Sequence, residues 1–313
     1  MPMLNQIKSV ILGHAIADAV GVPAEFCSRE ELDANPITDM IGYGTYNMPV
    51  GCWSDDTSMT LAALDSLASG TVNYDEIMTN FGKWYHNAEY TPTNVMFDIG
   101  GTCRKAILNY TAEHKNPLDC GLSDSYSNGN GSLMRIHPFV LFSAAKGKDP
   151  FDMTLIYEAS ALTHGHERSK IGCGIYAIIL RFLLTCADKN SIRNALEEAK
   201  ALYENVEEAK HYHRLFDEDF EKLPREEIRS SGYVVDTLEA AVWCVLTTDS
   251  YRDCVLKAVN LGEDTDTVAA IAGGLAGALY GFDDIPKEWF HKLKQREWIE
   301  ALCEHAAGNW NIR

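Results

Sequence analysis

A chain of 313 residues with 46% hydrophobic and 23% charged side chains has enough apolar material for one large domain or two small ones. Its formal net charge of −18 repels polyanions, which argues against a nucleic-acid backbone or an anionic membrane as a general partner. One small anionic ligand in a locally positive or metal-filled pocket stays compatible with that charge.

Nine dispersed cysteines without a C-x-x-C pair predict reduced thiols and a cytoplasmic protein. The N-terminal stretch MPMLNQIKSVILGHAIADAVGVP is interrupted by His14 and Asp18, so neither a signal peptide nor a transmembrane helix is expected.

In chain order the pattern is helical almost throughout. Ile7, Val10, Ile11, His14, Ala15 and Asp18 share a helical face, with His14 and Asp18 at i and i+4. A helix is predicted from Ser58 to a stop at Gly70, and another after Asn73 as N-cap. Helical runs follow in FDIGGTCRKAILNY, IHPFVLFSAAKG, DMTLIYEASALTH, SKIGCGIYAIILRFLLTC, SIRNALEEAKALYENVEEAKH, VDTLEAAVWCVLTTD and YRDCVLKAVNLG. The last two are the segment after Asp266 and PKEWFHKLKQREWIEALCEHA. Long loops are expected only near residues 113–130 and 216–231. No repeat, linker or strand pattern intervenes, so the expectation is one all-α domain over residues 1–313.

Two acidic clusters stand at helix starts. Ser54-Asp55-Asp56-Thr57 and Asp264-Thr265-Asp266-Thr267 each alternate hydroxyl and carboxylate oxygens. Asp and Ser are favoured helix caps, and one such side chain is enough to cap. Four oxygen ligands in a row also suit a hard cation such as Mg²⁺ or Mn²⁺. If both clusters converge, their mutual repulsion calls for a cation, and two such clusters are what a two-metal site requires.

Three further segments carry weaker signals. Asn128-Gly129-Asn130-Gly131-Ser132 is a turn by composition, and a glycine-rich loop feeding a helix can also cradle a phosphate. Asp98-Ile99-Gly100-Gly101-Thr102 is a helix start or a close approach of backbone to ligand. His164 and His166 lie at i and i+2, which do not share a helical face, so a zinc pair is not expected.

Together these segments resemble the ADP-ribosylglycohydrolase family, most closely its dinitrogenase-reductase-activating (ADP-ribosylarginine hydrolase) branch. Seven stretches carry the resemblance in family order: GHAIADAVGVPAEF, WSDDTSM, FDIGGTCRKAI, SNGNGSLMRIHP, LTHGHERS, SSGYVVDTLEAAVW and VNLGEDTDTVAAIAGGLAGALYG. The resemblance implies an all-α, single-domain orthogonal helical bundle with a binuclear Mg²⁺ or Mn²⁺ cleft. It implies Ser54, Asp55, Asp56, Asp264, Asp266 and Thr267 as metal ligands, and Glu25 and Asp98 as catalytic carboxylates, acid and base in either order. It implies Gly100, Asn128, Gly129, Asn130, Gly131, Ser132, Met134, His164 and Tyr233 along the ADP-ribose cleft. The implied reaction is hydrolysis of the glycosidic bond between ADP-ribose and a modified residue, most closely arginine on a protein partner. The same chemistry on serine, a nucleic-acid base or a small molecule is the near alternative, and a catalytically silent ADP-ribose binder the distant one. The chain departs from the family at Ser54, where some members have Thr, at Glu263, where Gly or Asp is common, and in THGHERS, where THxHP is usual.

Overall fold

The structure is a computed structural model that describes residues 2–147 and 151–310. Among the described residues there are fourteen α-helices and no strand, as the periodicity predicts. They are α1 (Pro2–Gly21), α2 (Arg29–Ala34), α3 (Asp55–Leu67), α4 (Tyr74–Asn87), α5 (Gly101–Thr111), α6 (His137–Ala145) and α7 (Met153–Ala161). The second half adds α8 (Glu167–Thr185), α9 (Lys189–Tyr203), α10 (Val234–Leu246), α11 (Tyr251–Val259), α12 (Thr265–Tyr280), α13 (Lys287–Lys292) and α14 (Arg296–Asn309).

α1 and α12 form the centre, with α8, α10 and α11 against α12 and α14 against α1. Both are apolar around most of their circumference, which suits a helix surrounded by others. Their closeness has a local cause. A Cβ on Gly273 would stand 2.4 Å from the Ala17 side chain, and one on Gly277 only 2.0 Å from the Ser9 carbonyl oxygen. The small residues of AIAGGLAGA are therefore what let the two backbones meet. By length and composition Met3–Ala24 would also span a membrane, but 94% of that window is buried inside the fold, the pattern of a core helix. α9 shows the opposite pattern, burying Ile192, Ala195, Leu196, Ala199 and Tyr203 along one stripe and exposing most of the opposite face.

The differences from expectation are local. α3 begins at Asp55 rather than Ser58, so Asp55 and Asp56 are its first turn. α2 was not expected; a reciprocal capping box between Ser28 and Glu31 starts it. The long run predicted to continue from α9 breaks after Tyr203 and resumes as a 3-10 segment, Glu207–Phe216. The C-terminal run splits into α13 and α14 around Gln295, whose φ of 49° cannot continue a helix. Residues 35–54 and 88–100 are also long connections, and both border the cleft described next.

Candidate active site and metal centre

Asp18 explains how α3 can spare its carboxylates. Fully buried on α1, it accepts hydrogen bonds from Ser54 N (2.9 Å), Ser54 Oγ (3.0 Å), Thr57 N (3.1 Å) and Thr57 Oγ1 (2.6 Å). A carboxylate from another helix thus caps α3. Ser54 sits at the N-cap itself and accepts from Asp56 N at 3.4 Å, so its hydroxyl is engaged on both sides. Burial pushes the Asp18 carboxyl up to about 7 against the pull of its bonds from Thr57 and Ser54. Sequence reading left Asp18 out of the site, although a carboxylate on an otherwise apolar buried helix was the signal.

The second cluster is held by contact with the same end of α1. Thr265 Oγ1 donates to Gly21 O at 2.8 Å, and a Cβ on Gly21 would lie 2.4 Å from Asp266 Cα. Asp264 occupies the N-cap of α12 without capping it through its side chain. Its carboxylate instead accepts from Asn130 Nδ2 at 2.7 Å, which ties the glycine-rich loop to the acidic cluster.

The two helix starts meet. Thr267 Oγ1 donates to Asp56 Oδ2 at 3.3 Å. Glu25, Asp98 and Asp266 place ligand oxygens within 4.8 Å of one another. Asp98 is half-buried with φ 55°, and its charge acts on Asp55, on Glu25 and on the Tyr46 hydroxyl. Tyr46 lies in the 35–54 connection, where no spacing or composition pointed to it.

These carboxylates destabilise one another. Burial, then the Asp98 charge, pushes Glu25 up to about 9. Asp55, Asp56 and Asp266 are raised well above the ordinary carboxyl range, again by burial first and by neighbouring carboxylates second. Glu25 Oε2, Asp56 Oδ1 and Asp266 Oδ2 are buried without any hydrogen-bond partner. Unpaired buried anions at this density are unfavourable unless a cation neutralises them. Orphaned, all-oxygen donors fit a hard divalent ion, so the residues present suit the metal that the sequence implied.

A cleft of about 320 Å³ opens onto the cluster. Glu25, Asp55, Asp98, Asp264 and Thr267 line it beside Gly100, Gly129, Asn130, Gly131, Met134 and His164. Asp56 and Asp266 lie fully buried just behind. The cleft also receives the first turn of α5, where a Cβ on Gly100 or Gly101 would meet nothing within 4 Å, leaving the unpaired amides of a helix N-terminus open to an anion.

His164 is buried and neutral. Burial, then the Arg135 charge, pushes it down to about 3, and its Nδ1 pairs with Thr163 Oγ1 at 2.9 Å.

Three expected cleft residues are turned elsewhere. Asn128 spends its amide on Ser125 O (3.1 Å) and accepts from Ser169 Oγ (3.0 Å). Ser132 is fully buried against Ser160 Oγ at 3.0 Å and Cys173 Sγ at 3.4 Å. Tyr233 starts α10 and accepts from Arg168 Nη1 at 3.1 Å, with the guanidinium also near its ring face. The glycine-rich segment does not run straight into a helix either; residues 131–135 form turns before α6 starts at His137.

Comparison with known proteins identifies the family. The family model for ADP-ribosylglycohydrolase matches residues 2–312. The chain is 35% identical over 303 residues to the ADP-ribosylarginine hydrolase Tri1 of Serratia proteamaculans, covering 96% of this chain and 78% of that one. It is 33% identical over 296 residues to the ADP-ribosyl-[dinitrogen reductase] glycohydrolase of Rhodospirillum rubrum, covering 93% and 91%. A solved structure titled ADP-ribosylglycohydrolase-related protein complex superposes with a TM-score of 0.83 at 28% identity, covering 99% of both chains. The chain belongs to the ADP-ribosylglycohydrolase family.

Proposed function

We propose that this chain, acting as one domain, hydrolyses the bond between ADP-ribose C1″ and an arginine guanidine on a protein. Support comes from the convergence of two helix starts and two loop carboxylates on orphaned, buried oxygens inside one cleft. The names of two similar proteins, an ADP-ribosylarginine hydrolase and a dinitrogen-reductase glycohydrolase, favour arginine over other linkages.

Asp55, Asp56, Asp264 and Asp266, with the hydroxyls of Ser54 and Thr267, are the residues that would hold two Mg²⁺ or Mn²⁺ ions. When bound, such ions supply charge that orients ribose hydroxyls and eases deprotonation of water. The rest belongs to the protein. Asn130 and the amides at the start of α5 face the diphosphate, and the carboxylates around C1″ stabilise the oxocarbenium character that develops there. The C1″–N bond breaks, water gives its hydroxyl to C1″, and its proton ends on the departing guanidine nitrogen. Glu25 Oε2, buried and unpartnered, and Asp98, with an oxygen within 4.8 Å of a Glu25 oxygen, are our candidates to pass that proton.

Linkage profiling tests the reading. Arginine-, serine- and base-linked ADP-ribose are each incubated with the protein, with Mg²⁺ or Mn²⁺ and with EDTA. Metal-dependent release from arginine is expected. Release confined to another linkage, or none from a folded metal-loaded protein, overturns it.

A further inference from the structure

Phe26 is the residue beside the cleft that the chemistry above leaves unexplained. Its ring is 70% exposed, yet its backbone stands at φ 65°, a region that bulky L-residues rarely enter. Two hydrogen bonds impose that conformation: Phe26 N to Glu263 O at 2.7 Å, and Glu263 N to Cys27 O at 2.8 Å. Neither burial nor packing of the ring repays the strain, and strain of this kind gathers at functional sites. Phe26 lines the same cleft as Glu25 and Asp98. Its ring lies 6.4 Å from that of Tyr46, which lies 5.0 Å from that of Phe97. Tyr46 in turn lies close enough to both carboxylates for their charges to act on its hydroxyl. Phe26 therefore stands on the acidic side of the cleft with Tyr46 and Phe97 in a row of rings behind it.

We propose that Phe26, with Tyr46 and Phe97, is the subsite for the guanidinium of the modified arginine and so sets preference for that leaving group; this rests on the arginine reading above. A guanidinium is flat and cationic, and it is attracted both to ring faces and to carboxylates. A serine linkage offers neither the plane nor the charge.

The polarity of the cleft decides which part of the substrate meets these rings. Adenine would also stack on them, but adenine is tethered to a diphosphate, and Glu25 and Asp98 repel phosphate at this side. The groups of the same cleft that favour an anion are the glycine-rich loop and the open N-terminus of α5. The cationic leaving group belongs with the carboxylates.

The test uses the full chain with Mg²⁺ or Mn²⁺, an ADP-ribosylarginine peptide as substrate, and ADP-ribose as product inhibitor. Phe26→Ala raises KM for the peptide about tenfold, while ADP-ribose inhibits as before, because the product has no guanidinium. Phe26→Tyr keeps KM within about twofold, since its ring face is retained. Phe26→Gly loses as much in KM as Phe26→Ala but melts at a higher temperature, because glycine adopts the left-handed conformation freely. An unchanged KM in Phe26→Ala, or a parallel weakening of ADP-ribose inhibition, overturns the subsite alone. A wild-type chain that releases nothing from the arginine peptide overturns the arginine reading and the subsite with it.

Discussion

The two helix starts that supply the cleft read almost alike, Ser54-Asp55-Asp56-Thr57 at α3 and Asp264-Thr265-Asp266-Thr267 at α12. Register for register they match: each has a carboxylate at the second helical position, Asp56 and Asp266, with one oxygen left unpartnered. They are held by different means. At α3 a foreign carboxylate, Asp18, takes the donors of the first turn. At α12 the backbone of Gly21 presses directly on Asp266, and Thr265 locks onto its carbonyl. Both clamps come from one turn of α1, three residues apart. A chemical clamp and a steric clamp therefore share a base, and this sets two acidic helix starts at a fixed separation before any cation arrives.

The largest effects come from removing the matched carboxylates. Asp266→Asn or Asp56→Asn lowers kcat on the order of a thousandfold, with a smaller loss in ADP-ribose binding, as steady-state kinetics and calorimetry would show. The same Asp266→Asn protein, free of metal, melts about 3 °C higher than wild type because one source of repulsion is gone. A metal-free melting point that drops instead would mean that Asp266 Oδ2 is held by a partner rather than waiting for one.

Breaking the two clamps separates them. Gly21→Ala forces a Cβ to 2.4 Å from Asp266 Cα, and neither backbone can yield cheaply. We expect a loss of about 3 kcal/mol in chemical denaturation, and most of the metal-induced rise in melting temperature with it. Asp18→Ala leaves the Ser54 and Thr57 amides without their acceptor inside the core and costs about 2 kcal/mol. Its activity loss is smaller, about tenfold, because α3 keeps its packing. Equal activity losses in the two variants would argue against different clamps.

How much of this was legible follows from where each partner lies in the chain. The helices come from local periodicity, and both acidic clusters are contiguous, so their positions were readable. Asp18 was visible as an isolated anion on an apolar helix, but its role depends on Ser54 and Thr57 arriving from another element. Asn128 and Ser132 look like phosphate-loop residues from the motif alone. Their side chains turn away because Ser160 on α7 and Ser169 and Cys173 on α8 offer them buried partners. Tyr46 and Phe26 were beyond reach for a different reason: irregular connections carry no period, and the left-handed turn at Phe26 is imposed by Glu263, more than 200 residues away.

The metal-dependent part of the comparison can be sharpened with pH. Glu25 is pushed up to about 9 and Asp18 to about 7, and Asp55, Asp56 and Asp266 also lie above the ordinary range. A carboxyl whose folded pKa exceeds its unfolded one favours the fold while protonated. The contribution of these carboxyls to metal-free stability is therefore fully present below the ordinary carboxyl range and is lost as pH rises through about 7 for Asp18 and about 9 for Glu25. Cations bind the deprotonated oxygens, so the gain in melting temperature from a fixed concentration of Mg²⁺ or Mn²⁺ grows between about pH 5 and pH 9, and the stabilisation reaches roughly 3 kcal/mol where the ion is at a hundredfold excess over Kd. Melts in EDTA and in metal across that range would show it, and a gain that shrinks with rising pH would contradict carboxylate ligation.

The smallest effect tests redundancy at α3. Ser54 caps that helix and touches both Asp18 and Asp56. If its hydroxyl serves only as a cap, Ser54→Ala costs no more than about 1 kcal/mol, because Asp18 still receives the amides of Ser54 and Thr57. Ser28→Ala at α2, far simpler in its surroundings, costs about the same through its broken capping box and leaves turnover unchanged. The difference between them should appear in metal affinity alone. Ser54→Ala weakens it about tenfold and Ser54→Thr restores it, since Thr returns the hydroxyl oxygen. Equal metal affinity in Ser54→Ala and wild type would reduce Ser54 to a cap and leave ligation to the carboxylates.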